Sequence, residues 1–68
     1  MTEIYSVLGN KVKERRNKLK LTQERLAEIS GLHRTYIAGI EKGKRNVSIK
    51  NLEKIARALK VRPDELLK

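Results

Sequence analysis

The stretch HRTYIAGIEKGKRN, residues 33 to 46, places cationic hydrogen-bond donors on both sides of two very small residues. At about 100° per residue, a helix here would carry its isoleucines on one side and Thr35, Ala38 and Gly39 on the other. Glycine inside a helix costs about 0.5 to 1 kcal/mol relative to alanine, so its place opposite the apolar side indicates that something else comes close there. The major groove of duplex DNA, about 12 Å wide, would be such a partner.

The polar residues of this stretch suit contacts with a nucleic acid. Arg34 can donate two hydrogen bonds to O6 and N7 of guanine, a geometry that fits arginine better than lysine. The methyl group of Thr35 can pack on thymine while its hydroxyl bonds to a base or a phosphate. Tyr36 fits a phosphate contact or a half-buried packing position, and His33 fits a helix cap or a contact with the nucleic-acid backbone. Four residues near the end of the stretch would supply register and affinity without sequence information: Lys42, Lys44, Arg45 and Asn46.

The charge of the chain indicates an anionic partner. Seventeen Lys and Arg against eight Asp and Glu give a formal charge of +9, an imbalance that causes self-repulsion in the folded state. Nucleic acid, an acidic protein and an anionic membrane surface all remain open on charge alone. Two Tyr with no Phe and no Trp argue against a platform that stacks single-stranded bases, so double-stranded DNA is favoured. The alternative is a basic surface that serves only solubility.

The residues needed for several other functions are missing from the sequence. With no Cys and a single histidine, His33, there is no disulfide, no thiolate metal site and no nucleophile-histidine pair. A paired-carboxylate cleft and a phosphate-binding glycine loop are also lacking. We therefore expect no enzyme activity, metal, cofactor or small-molecule ligand. The sequence also has no long apolar run and no signal peptide, so we expect a cytoplasmic protein without a membrane span.

Turn and capping residues divide the 68-residue chain into five short helical segments, with no credible strand. The first helix is predicted over about residues 3 to 18 and the third over about residues 33 to 42. The other boundaries are predicted from capping, helix-ending and helix-starting residues: Thr22, Gly31, Gly43, Ser48 and Pro63. The sequence therefore predicts one compact all-α domain of five helices, spanning residues 1 to 68.

Apolar residues at three- and four-residue spacing predict which helix faces form the core. They are Ile4, Leu8 and Val12 in the first helix, Leu26, Ala27 and Ile29 in the second, and Ile49, Leu52, Ile55, Ala56 and Leu59 in the fourth.

The second and third helices have the spacing of a helix-turn-helix, because only a few residues around Gly31 separate them. The small side chain of Ala27 would let the two helices cross closely, and Gly31 would turn the chain in a left-handed conformation. Leu32, Ile37 and Ile40 would then pack the third helix onto the second. An ordinary helical hairpin without DNA contact is the alternative.

The run LTQERLAEISGLHRTYIAGIEKGKRNVS resembles the DNA-binding core of the lambda-repressor-like family, which includes the Cro and XRE regulators. The resemblance extends from about Leu8 to Leu67. Within it, HRTYIAGIEKGKRN is similar to the recognition segment of the controller proteins of restriction-modification systems. The resemblance implies a five-helix domain whose third helix enters the major groove, usually as a dimer on a pseudo-palindrome.

The resemblance also implies roles for individual residues. Arg34 and Thr35 would contact base edges, and Ala38 and Gly39 would lie on the same surface of the helix. The DNA backbone would be contacted by Gln23, Lys42, Lys44 and Arg45, and the residue chemistry described above adds His33, Tyr36 and Asn46. Arg16 and Glu41 would form a partly buried ion pair between the first and third helices, with two solvated charges as the alternative. The chain departs from the family pattern with Lys20 in place of a turn glycine, and with His33 and Arg62 in place of Ser or Thr caps.

A domain this small has few base contacts, which favours a symmetric homodimer with recognition helices about 34 Å apart. The interface candidates are Ile49, Val61, Leu66 and Leu67, which could instead only close the monomer core. The predicted function is a sequence-specific transcriptional regulator of double-stranded DNA, such as a restriction-modification controller protein. A phage-type repressor and an antitoxin-like protein-interaction module are the alternatives.

Overall fold

The computed structural model describes residues 2 to 68, which form four α-helices and no strand. The helices are α1 (Thr2–Lys18), α2 (Gln23–Ser30), α3 (Arg34–Glu41) and α4 (Ile49–Ala58), and a 3-10 helix (Pro63–Leu67) follows them. The predicted all-α class is confirmed. The five-helix count is not confirmed, because the last segment is a 3-10 helix. None of the described helices is long and apolar enough to cross a membrane.

Short polar side chains begin α2 and α4. The Thr22 hydroxyl accepts a hydrogen bond from the backbone N–H of Arg25 at 3.0 Å, and the Ser48 hydroxyl accepts one from Asn51 at 3.1 Å. Each bond satisfies one of the amide groups that have no partner within the helix. Gly31 ends α2 with φ of 74°, the left-handed conformation predicted for it.

Two lysines take the left-handed conformation that glycine usually provides. Lys20 has φ of 60° between α1 and α2, as the sequence indicated, and Lys60 has φ of 63° after α4. A residue with a Cβ atom in this conformation costs roughly 1 kcal/mol. These two turns are therefore mildly strained.

The 3-10 helix is fixed at its start by Arg62. The backbone N–H of Arg62 donates to the Glu65 carboxylate at 3.0 Å, although the Arg62 side chain makes no capping bond. Its guanidinium instead donates two hydrogen bonds to Asp64, at 3.0 and 2.9 Å. These bonds lower the pKa of Asp64 from 3.8 to about 2. The pair therefore stabilises the fold above about pH 4 and is lost only as the pH falls through 2.

One hydrophobic core joins all four α-helices and the 3-10 helix. Its buried members are Leu8, Val12, Leu26, Ala27, Ile37, Ile40, Ile55, Ala56, Ala58, Leu59 and Leu66. The predicted buried faces are wrong at three positions, where the isoleucine is exposed: Ile4, Ile29 and Ile49. Each isoleucine lies at the correct spacing within its helix. The neighbouring helices, however, do not cover the part of the helix surface on which it lies.

Gly9 lies in the middle of α1, against the end of α3. A Cβ atom on Gly9 would overlap the backbone carbonyl oxygen of Ile40 and lie 2.9 Å from that of Glu41. Backbone atoms cannot move aside as a flexible side chain can, so this glycine sets the distance between the two helices.

We expect Gly9→Ala to reduce the free energy of unfolding by about 1 to 3 kcal/mol, the usual penalty for overpacking. The overlap should outweigh the gain of about 0.5 to 1 kcal/mol that alanine brings to a helix. Urea denaturation would measure the change, with Asn10→Ala at the exposed neighbouring position as the control. An unchanged midpoint for Gly9→Ala would mean that α1 and α3 are not in close contact here.

Candidate nucleic-acid interface

Helices α2 and α3 pack as a helix-turn-helix. The turn is closed by a hydrogen bond of 3.0 Å from the N–H of Leu32 to the carbonyl of Ala27, and Ala27 is buried in the core. Ile37 and Ile40 are the buried side of α3. The opposite side of α3 therefore faces outward.

The outward side of α3 carries the residues expected to contact bases. Arg34 and Thr35 are exposed in its first turn, and Ala38 and Gly39 are half-buried in the turns that follow. Within residues 2 to 68, no ion pair engages Arg34. Its guanidinium is thus available to an external hydrogen-bond acceptor.

The surface at Gly39 is covered by a side chain of the same chain, whereas the sequence indicated an external partner there. The side chain of Arg45 lies across it, so that a Cβ atom on Gly39 would be 2.6 Å from Cγ of Arg45. The guanidinium of Arg45 reaches the ring of Tyr36, 5.7 Å from its centroid. Glycine at this position therefore makes room for an arginine of the same chain, a contact that helical spacing alone cannot indicate.

Tyr36 connects α3 to the loop that follows it and to α4. Its hydroxyl donates to the carbonyl oxygen of Asn46 at 3.3 Å and accepts from Nδ2 of Asn51 at 3.2 Å. The ring is partly buried against the core. Tyr36 thus occupies the packing position that the sequence offered as one of two alternatives. The spacing of Asn51 in α4 gives no signal of this contact, so the sequence does not predict it.

Arg16 and Glu41 form an ion pair that ties α1 to α3. Nε of Arg16 donates to Oε2 of Glu41 at 2.6 Å, and Nη2 donates to Oε1 at 3.1 Å. The side chains are only 11% and 4% exposed. Nη1 of Arg16 also donates to the carbonyl of Leu21 at 2.7 Å. These contacts fix the helix-turn-helix against α1.

Gln23 joins the same network, since its Nε2 donates to Oε1 of Glu41 at 3.0 Å.

His33 is at the start of α3 with an extended backbone, and its side chain makes no capping hydrogen bond. Lys42 ends α3, and the loop after it carries three further exposed polar side chains: Lys44, Arg45 and Asn46. The structure thus places cationic groups beyond the end of α3, while Arg34 stands at its beginning.

A helix-turn-helix family model matches residues 12 to 66, most of the chain. The chain belongs to the helix-turn-helix family. The Cro/XRE-type resemblance predicted from the sequence is thereby confirmed.

Within residues 2 to 68 the structure has no group of three or more metal-binding side chains.

Several members of the helix-turn-helix family that resemble this chain are control proteins. The control protein C.BamHI of Bacillus amyloliquefaciens is 52% identical over 65 residues, which cover 94% of this chain and 80% of that protein. C.SmaI of Serratia marcescens is 46% identical over 65 residues, covering 96% and 77%. The crystal structure of the restriction-modification controller protein C.AhdI from Aeromonas hydrophila superposes with a TM-score of 0.88 at 45% identity, covering 91% of this chain and 94% of that one.

We expect Gly39→Ala to change protein stability and DNA affinity in opposite directions. Alanine favours the helix by about 0.5 to 1 kcal/mol, and the flexible Arg45 side chain can shift to make room. The added methyl group should nevertheless weaken binding to a selected duplex on the order of tenfold, the lower part of the overpacking range. Thermal unfolding and fluorescence anisotropy would measure the two effects.

The matched control for Gly39→Ala is the reverse change at the adjacent position. Ala38→Gly should lower stability by about 0.5 to 1 kcal/mol, and it should retain DNA affinity because it adds no bulk. If Gly39→Ala bound DNA as tightly as the unaltered protein, close approach of this surface to DNA would be disproved.

Proposed function

We propose that this protein is a dimeric transcriptional regulator that binds a pseudo-palindromic site in double-stranded DNA, as a controller protein of a restriction-modification system. The observation that carries the proposal is the outward side of α3, where the exposed Arg34 and Thr35 stand opposite the buried Ile37 and Ile40. The names of the similar control proteins support the same function. Such a regulator would act where the DNA is, which agrees with the cytoplasmic location expected from the sequence.

In this proposal the first turn of α3 contacts base edges in the major groove. Arg34 donates two hydrogen bonds to a guanine, and Thr35 contacts the neighbouring base pair. Once the Arg45 side chain moves off Gly39 to a phosphate, Ala38 and Gly39 would let the helix lie deep because they add almost no bulk between backbone and bases. This division of roles is supported by the exposure of Arg34 and Thr35 and by the small side chains that follow them.

Phosphates on either side would be held by residues from three parts of the fold. The Nε2 nitrogen of Gln23 carries two hydrogens, and one of them is donated to Glu41. The second hydrogen is therefore available to a phosphate. Tyr36 would have to exchange its bond to Asn46 for a bond to phosphate. The remaining contacts would come from His33, Lys42, Lys44, Arg45 and Asn46. These contacts would provide affinity and register, and base contacts would provide specificity.

The dimer would form through an apolar groove of about 200 Å³. Ile49 is 86% exposed, and Ile4 and Leu67 line the same groove. Leu66 has no surface to offer a second copy because it is buried in the monomer core, and Val61 is partly buried against that core. Of the four expected interface residues, Ile49 and Leu67 are therefore the ones that we propose, with Ile4 added.

We expect Ile49→Asp to weaken dimerisation by about 3 kcal/mol or more, roughly 100-fold. In a symmetric interface the substitution removes two buried isoleucine side chains, each contributing about 1.5 kcal/mol or more. Sedimentation equilibrium would measure the dissociation constant. Ile29→Asp, at another exposed isoleucine, should leave it unchanged. If Ile29→Asp were the more damaging variant, the dimer would use a different surface.

Selection of bound duplexes from a random pool tests the proposed function as a whole. The expected result is a two-fold symmetric consensus whose half-sites are about one helical turn apart and contain a guanine each. Enrichment of no sequence over the starting pool would overturn the proposal. An asymmetric consensus would retain specific binding and overturn the symmetric dimer.

A further inference from the structure

A second groove, of about 450 Å³, runs between the end of α2 and one side of α4. Ile29 stands on one wall and is 46% exposed. Ser30 and Ala58 are buried at the base of the groove. The isoleucine therefore offers an apolar surface that the monomer leaves uncovered.

The other wall of this groove is mostly cationic. Lys50, Lys54 and Arg57 line it at the three- and four-residue spacing that places side chains on one side of a helix. Glu53 is the acidic residue among the lining side chains, and it lies 3.8 Å from Arg57. The exposed wall thus carries three positive charges and one negative charge beside an exposed isoleucine.

The combination of an exposed isoleucine and a cationic wall fits an anionic peptide better than it fits duplex DNA. An anionic peptide that carries an aliphatic side chain could bury that side chain on Ile29 and place its carboxylates against the lysines. The outside of duplex DNA is sugar and phosphate and offers no aliphatic side chain, so the isoleucine would remain uncovered there. The groove thereby differs from the outward side of α3, where the cations surround small residues.

The groove is separate from the two surfaces already assigned. Its lining residues come from α2 and α4, whereas the proposed dimer groove is lined by Ile4, Ile49 and Leu67 among others. Arg34 and the cationic residues Lys42, Lys44 and Arg45 line neither groove, although Val47 of the loop after α3 lines the dimer groove. A partner in the second groove could therefore be bound while the protein is dimeric and holds DNA.

We propose that the groove lined by Ile29, Lys50, Lys54 and Arg57 binds an acidic segment of another protein through one buried aliphatic side chain. Neither Ile29 nor the α4 lysines take part in the proposed DNA contacts or in the proposed dimer. The inference therefore goes beyond the proposed function and does not depend on it. A regulator with this surface could connect its DNA site to a second protein.

The test uses the full chain and a defined probe, an acetylated and amidated peptide of six glutamates around two central leucines. Methyl NMR would follow the signals of Ile29 and Ala58 during titration, and anisotropy of a labelled peptide would give the affinity. We expect both methyl signals to shift. Affinity should fall about tenfold or more when the leucines are replaced by serine, the loss expected for an exposed aliphatic anchor.

Matched protein variants separate an anchored complex from general charge attraction. Ile29→Ser and Lys54→Glu should each weaken peptide binding about tenfold, whereas Lys13→Glu should leave it unchanged. Ile29 and both lysines are exposed, so all three variants should fold. The inference is overturned if the peptide fails to bind at about 1 mM, or if Ile29→Ser binds as well as the unaltered protein. The inference would also be overturned if duplex DNA displaced the peptide. The same holds if the methyl NMR signal of Ile29 shifted with protein concentration in the absence of peptide.

Discussion

Replacement of Arg34 by alanine is expected to remove the preference for one base pair in each half-site of the DNA. A bidentate arginine-guanine contact contributes about 1 to 3 kcal/mol of discrimination, and a symmetric dimer makes the contact twice. Competition binding against duplexes that differ only at that base pair would measure the loss. Arg34 is suited to this role because it is exposed in the first turn of α3 and because no ion pair within residues 2 to 68 engages it.

The control for Arg34→Ala is Lys44→Ala, in the loop after α3. A phosphate contact carries no sequence information, so this variant should weaken binding to every duplex about equally. It should also reduce the slope of log affinity against log salt by about 1 for each phosphate contact removed. If Arg34→Ala behaved like Lys44→Ala, with uniform weakening and no change of preference, Arg34 would be a phosphate contact.

Glu41→Ala is expected to have the largest effect on stability, a loss of about 3 to 5 kcal/mol. Removing one member of a buried ion pair leaves the other charge without compensation, and here Arg16 would lose both of its bonds to the carboxylate. Gln23 would also lose its acceptor. Because a small domain is stable by only about 5 to 15 kcal/mol, this loss would remove a substantial part of the free energy of unfolding. Circular dichroism during urea denaturation would measure the change.

The chain contains a matched control for burial. Arg25 and Glu28 are paired at 2.6 Å, the same distance as Arg16 and Glu41, but their side chains are 57% and 71% exposed. Exposed pairs contribute about 0 to 1 kcal/mol, so Glu28→Ala should be nearly neutral. Equal losses for Glu41→Ala and Glu28→Ala would mean that the pair between α1 and α3 is hydrated in solution.

Local signals in the sequence were sufficient to predict where the helices begin and end. Thr22 and Ser48 cap their helices as predicted because capping depends on residues within three positions. Gly31 has a positive φ value, as predicted from its place in a short turn. Lys20 has one too, at the position where the family resemblance implies a turn glycine. The outward direction of the Gly39 side of α3 was also predictable, since the opposite side is apolar at helical spacing.

Features that depend on distant parts of the chain were not predictable in the same way. Ile29 and Ile49 fit an apolar stripe, yet they are exposed because no neighbouring helix of the described chain covers them. The contact of Arg45 with Gly39 depends on the path of a loop, which spacing does not determine. Gly9 could have been noticed as a glycine within a helical pattern, but only the packing of α1 against α3 explains it.

Gly39 has two physical explanations, room for Arg45 and close approach of DNA, and one measurement separates them. Duplex affinity should be compared between Arg45→Ala and the double variant Arg45→Ala with Gly39→Ala. If the small residues of α3 face bases in the major groove, the added methyl group should still weaken binding on the order of tenfold when Arg45 is absent. Equal affinities of the two variants would show that Gly39 only makes room for Arg45, and would contradict the deep placement of α3 in DNA.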